Sequence, residues 1–156
     1  MHLKHFRVMV VTAVNQMKIR TYSELIMLPT FKLRFEYLNV HSQIGYKTFG
    51  YDRFINQDFY HSKEWELIKD YIIVRDCGCD LGIKGREIVG NVYVHHMNPL
   101  SVEDFKTGSK FLLDPEYLIS STHITHNAIH YGSYESLPTE LIERRPNDTC
   151  PWKISS

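Results

Sequence analysis

Five of the nine histidines lie within 36 residues, at positions 95, 96, 123, 126 and 130. No other feature constrains the chain as tightly, because packing alone gives no reason to gather a His-His dipeptide and an i, i+4 histidine pair. His126 and His130 have the spacing that puts two imidazoles on one helix face, within reach of one metal ion. At ~100° per residue, His123 and Asn127 fall on the same face. His95-His96 closes an apolar, β-branched stretch about thirty residues upstream. On a strand, neighbouring side chains point to opposite faces, so one of the pair turns toward such a helix and the other away, unless the strand end is twisted. Strand, loop, short strand and helix, carrying these rings, make a compact metal site.

That arrangement suits phosphodiester hydrolysis. A divalent ion stabilises charge on the scissile phosphate and on the leaving oxygen. A separate neutral imidazole, with an ordinary pKa near ~6.5, takes a proton from water. Ligand and base must be adjacent yet distinct, and a His-His dipeptide supplies both. His2, His5, His41 and His61 are isolated and read as ordinary core or surface residues.

The flanking sequence frames this unit. Residues 1–16 contain the apolar stretch Val8–Val14 with weakly basic flanks. A signal peptide, an N-terminal strand and an extension upstream of a start at Met17 are the three readings. The extension is preferred, since MKIRTYSEL carries the capping-box pattern Thr21-x-x-Glu24. Residues 23–40 predict one or two short amphipathic helices around Pro29, and residues 45–60 read as loop with a short element. The strongest helix is predicted over 62–76. Ser62 caps it, Glu64 and Glu66 sit where the helix dipole favours acid, and Trp65, Ile68, Ile72 and Ile73 form a core stripe. Cys77-Gly78 ends it. Residues 88–96 predict a strand, with Gly82, Gly85 and Gly90 before and within it, closed by Met97-Asn98-Pro99. Residues 101–115 read as loop with one helical turn, and 116–120 as a short strand. A helix from Ser121 or Thr122 runs to Tyr131 and stops at Gly132. From Pro138 onward the chain reads as an irregular surface tail. The pattern is α+β, in one domain.

Composition excludes several alternatives. At 156 residues the chain has room for one modest core. With 43% hydrophobic and 23% charged residues, wholesale disorder is excluded. No apolar run reaches the ~18 residues a membrane span needs. The net charge of zero excludes a strongly basic nucleic-acid coat. Residues 1–34, however, hold six Lys/Arg against one acid, and the remainder twelve against seventeen. A basic end on an acidic body can still meet a phosphate backbone. Arg75, Arg144 and Arg145 are candidate DNA contacts, against the plainer reading of a solvated face. Trp65 and Tyr60 are weaker candidates for stacking on bases, with core as the plainer reading. Cys77, Cys79 and Cys150 are too few and odd in number for a disulfide framework, which points to a reducing, cytoplasmic setting.

The segment VYVHHMNPL, followed by EYLISSTHITHNAIHYG, resembles the HNH endonucleases. It is similar in particular to small HNH proteins encoded by bacteriophages. The upstream FYHSKEWELIKDYIIVRDCGCDLG and the closing IERRPNDTCPW resemble the same group, so the resemblance covers roughly residues 17–152. It implies a ββα-metal (His-Me finger) core with N-terminal helices packed around it, in a nuclease domain spanning residues 17–137. By position it implies His95 as the strand metal ligand, His96 as the general base, and His126 and His130 as helix ligands. His123 and Asn127 are second choices. It implies DNA as the substrate, 5′-phosphate and 3′-hydroxyl products, and a packaging role beside a phage terminase large subunit. All-imidazole ligation suits Zn²⁺ or Ni²⁺ as one bound divalent ion, with Mg²⁺ or Mn²⁺ as activators.

The chain departs from the family pattern twice. The motif's middle Asn, nine residues before the helix histidine, is Tyr117 here, and Asp114 or Asn98 are candidates to take over its pinning of the loop. The paired C-x-x-C motifs of many relatives are reduced to Cys77 and Cys79, so no structural zinc is expected. A second reading therefore keeps the fold and the metal without efficient chemistry, as an accessory module of a terminase-like machine. A third is a metallohydrolase with a substrate other than nucleic acid.

Overall fold

A computed structural model describes residues 18–39 and 53–137. The expectations for residues 1–17 and for the tail from 138 onward, including Arg144, Arg145 and Cys150, lie outside the described residues. Two short helices open the described chain, α1 (Tyr22–Leu25) and α2 (Phe31–Leu38), separated at Leu28-Pro29. The Thr21 hydroxyl accepts from the Glu24 N–H at 3.3 Å, which is half of the expected capping box. The Glu24 carboxylate turns instead to the Tyr37 hydroxyl at 2.8 Å and to Lys18 at 3.1 Å.

α3 (Arg53–Tyr60) is the short element expected within 45–60. Its helicity follows from packing, because Phe59 meets Tyr60, Trp65 and Phe105 at 5.1–5.4 Å between ring centroids. α4 (Lys63–Arg75) forms as expected, with the Ser62 hydroxyl accepting from the Trp65 N–H at 3.1 Å. Trp65 and Ile72 are its buried residues, and Ile68 and Ile73 are partly buried. Gly78, at φ +62°, reverses the chain where any side chain would be strained.

The strand expected over 88–96 is shorter in the fold. Only β1 (Tyr93–His96) pairs, because Gly90 at φ +101° breaks the extended run and Val89 is left 99% exposed. The loop expected over 101–115 holds α5 (Val102–Thr107) and α6 (Lys110–Leu113). A Ser101/Asp104 capping box starts α5. β2 (Leu118–Ser121) is antiparallel to β1, and His95 lies opposite Ile119 and His96 opposite Leu118. α7 (His123–Tyr131) follows, capped by Thr122. The described chain is thus α+β, with seven helices and one two-stranded sheet.

The sheet lies between two packed layers. On one face Ile119 joins Ala128 and Ile129 of α7 and Leu25, Phe31, Phe35 and Leu38 of α1 and α2. On the other face Leu118 packs with Trp65 and Ile72 of α4, and Val94 joins them. The period-2 alternation of β1 therefore sends His95 and His96 to different layers.

Candidate metal centre

His95 is 3% exposed and faces α7. His126 and His130, one helical turn apart, meet it from α7. The ring centroids are 5.2 Å apart for His95–His126, 4.9 Å for His95–His130 and 4.6 Å for His126–His130. One ligand nitrogen from each lies within 4.8 Å of the others. On a tetrahedral ion with bonds of ~2.1 Å, ligand nitrogens stand about 3.4 Å apart. Among the described residues no fourth His, Cys, Asp or Glu joins the three, so an ion held by them alone would keep a coordination position for water or another ligand.

Electrostatics favour the neutral, ligating form. Burial drives His95 well below the ordinary histidine range, and the rings of His130 and His126 push it further down. Burial, then His126, lowers His130 to about 4, and burial lowers His126. Protons therefore compete weakly with a metal ion near neutral pH.

Two buried carboxylates set this geometry. Asp80 receives the Thr122 N–H at 3.1 Å, the Thr122 hydroxyl at 3.2 Å, and the hydroxyl of buried Thr125. It thereby fixes the N-terminus of the helix that carries His126 and His130. Asp76, at the end of α4, receives the N–H of Ser120 in β2 at 2.7 Å. Neither was singled out from the sequence. Their partners are 42–45 residues away, so no local pattern marks them.

His96 stands apart from the three ligands, on the opposite face of β1. Its ring lies in the other layer, stacked on Trp65 at 5.2 Å and 15°, with Phe59 and Tyr60 at 6.4 and 6.3 Å. Since a carbonyl only accepts, the His96 Nε2–H donates to the Leu112 carbonyl at 3.1 Å, which leaves the lone pair on Nδ1. Burial lowers His96 to about 4 against the raising effect of that hydrogen bond.

The remaining candidates are placed as follows. The Asn127 amide donates to His123 Nε2 at 3.2 Å, and both line a shallow groove on the outer face of α7 with Ile124 and Tyr131. Tyr117 is buried against Phe111, and its main-chain carbonyl receives the Met97 N–H at 2.9 Å. At Tyr117 the loop after β1 is therefore held by backbone rather than by a side-chain amide. Asp114 accepts from the Glu116 N–H at 2.9 Å and shapes the turn before β2. Asn98 spends its amide on Arg20, accepting from its N–H at 2.7 Å and donating to its carbonyl at 2.8 Å. Arg75 is not a free phosphate contact. Its guanidinium is turned inward, onto Asp76 and the carbonyls of Pro115 and Leu118 at 2.7–3.2 Å, and it stacks on Tyr22. Trp65 is 6% exposed and belongs to the core.

No protein-family model, curated protein or solved structure matches this chain. Among the described residues, no helix is long and apolar enough to cross a membrane.

Proposed function

We propose that the protein is a metal-dependent DNA endonuclease of the HNH type, with β1, β2 and α7 as its ββα-metal core. The observation that carries this reading is the convergence of His95, His126 and His130, three neutral donors from a strand and a helix, on one point. When bound there, a divalent ion such as Zn²⁺, Ni²⁺, Mg²⁺ or Mn²⁺ supplies Lewis-acid stabilisation of the phosphate and the leaving oxygen. The three histidines hold the ion, and Asp80 holds their helix in place. His96 is the candidate general base. It is neutral at pH 7 and its tautomer is fixed by the Leu112 carbonyl, so Nδ1 is the atom that would take the proton, and a value near 4 makes it a weak base unless substrate binding raises it. The sequence resemblance adds a packaging role with a terminase large subunit in the host cytoplasm.

A second reading has its own support. His96 makes its ring contacts in the aromatic layer, away from the three ligands, and Tyr117 replaces the motif's Asn. An accessory module that binds metal and DNA without efficient cleavage fits these facts. Plasmid nicking with Mg²⁺, Mn²⁺ or Ni²⁺ separates the two readings. Cleavage that His96→Ala abolishes while metal stays bound supports the enzyme. Absence of nicking in every metal, with the ion still held, supports the module.

A further inference from the structure

We propose that Tyr93 and Tyr131 are substrate-binding residues that stack on unpaired bases of DNA, so that the strand presented to an ion held by His95, His126 and His130 is single-stranded or locally opened. The assignment rests on the nuclease reading above and names the substrate class of that same site. Tyr93 starts β1, two residues before His95, so the alternation that turns His95 toward α7 turns Tyr93 to the same face. Its ring centroid stands 5.1 Å from that of His123 and 6.1 Å from that of His126. Tyr131 ends α7, and its ring centroid stands 5.7 Å from that of His130. Each of the two helix ligands therefore has a tyrosine ring beside it. Both rings are open to solvent, Tyr93 being 39% exposed and Tyr131 77%. Tyr131 also lines the groove on α7, of about 320 Å³, with His123, Ile124 and Asn127. That volume is at the lower end of ligand-sized sites.

Charge decides between a duplex and an unpaired strand. Duplex binding draws its affinity from Lys and Arg side chains that neutralise phosphates. None of the residues of β1, β2 and α7 is a Lys, Arg, Asp or Glu. Arg75, a sequence candidate for that task, is spent on Asp76 and two carbonyls. An uncharged face has little hold on a duplex, whose base faces are hidden in the stack. An unpaired strand offers those faces, and stacking on aromatic rings holds it without sequence preference. Ile124, 58% exposed in the same groove, adds apolar surface beside Tyr131.

The test uses the full-length chain, Tyr131→Leu, Tyr131→Phe and Tyr93→Leu. Binding is measured in EDTA by fluorescence anisotropy with three probes: an oligothymidylate of about 16 nucleotides, an abasic strand of the same length, and a duplex of the same length. Zn²⁺ affinity is measured against a chelator. The natural chain is expected to bind the oligothymidylate about 10-fold or more tighter than the abasic strand and the duplex. Tyr131→Leu and Tyr93→Leu should each lose about 10-fold on the oligothymidylate and bind the abasic strand as before. Tyr131→Phe, which keeps the ring, should bind like the natural chain. Unchanged Zn²⁺ affinity in Tyr131→Leu shows that the three histidines are intact. A chain that nicks plasmid DNA yet holds the duplex or the abasic strand as tightly as the oligothymidylate would overturn this assignment alone. Full oligothymidylate affinity in both Leu variants would do the same. A natural chain that neither binds nor cleaves any DNA would end the nuclease reading and this assignment with it. If Tyr93→Leu does not fold, the exposed Tyr131 decides, and full affinity in Tyr131→Leu overturns the stacking.

Discussion

Removing the Asp80 carboxylate should loosen the metal site without touching a ligand. Asp80 receives one main-chain and two hydroxyl hydrogen bonds from Thr122 and Thr125, and Thr125 is 3% exposed. Hydrogen bonds to a charged acceptor contribute about 1.5–3 kcal/mol each. In Asp80→Ala the two hydroxyls still reach each other at 3.0 Å, so roughly two bonds are lost outright. Burial raises the Asp80 pKa, which marks a desolvation cost that the substitution relieves. The net loss is therefore about 2–4 kcal/mol, and Asp80→Asn, which keeps one acceptor, should lose about half as much. The carboxylate also sits at the positive end of α7, where an acid is favoured. With α7 unpinned from the turn after α4, Zn²⁺ affinity should fall about 10–100-fold, as is usual when a group that orients metal ligands is removed. Urea unfolding of the metal-free protein, followed by Trp fluorescence, reads the first quantity. Competition with a chromophoric chelator at pH 7.5 reads the second. If Asp80→Ala unfolds within about 0.5 kcal/mol of the natural chain and binds Zn²⁺ equally well, α7 is held by Ala128 and Ile129 alone and the pinning argument is wrong.

Further outcomes follow from the same geometry. His96 titrates near 4 in the fold and near ~6.5 unfolded, so the unfolded chain binds more protons as pH falls through that window. Stability is full above ~6.5 and should decline by about 2 kcal/mol between pH 7.5 and 5 in the metal-free protein, with His130 adding to the loss; urea midpoints that do not move would refute this. Arg75→Met should cost about 2–3 kcal/mol in urea unfolding and leave the salt slope of DNA binding unchanged, since its guanidinium is spent on Asp76 and two carbonyls. For the natural chain, Zn²⁺ at 100 times Kd should stabilise the fold by about 2.7 kcal/mol; His130→Ala should abolish that gain at the same concentration, and a thermal melt shows whether it does.

The local elements of the site were legible because their signals are local. The Thr122 cap and the Gly132 stop bound α7, and the i, i+4 spacing of His126 and His130 needs nothing beyond the pitch of a helix. Strand alternation likewise requires that His95 and His96 face apart. Where local pattern was weak, tertiary packing was the stronger influence: the short element over 45–60 takes shape as α3 among the rings around Phe59, and the strand before Tyr93 fails at Gly90. Which histidine faces α7 depends on the register of β1 on β2, and that register is set by which apolar residues of β2 enter which core. The Asp80 and Asp76 anchors, the inward turn of Arg75 and the clamp of Asn98 on Arg20 each join residues at least 40 positions apart, apart from the adjacent Arg75–Asp76 pair. The sequence alone therefore determined the ligand types and their spacing along one helix. Only the tertiary structure decided which ring joins them, because a burial choice made in two separate layers leaves no periodic trace along the chain.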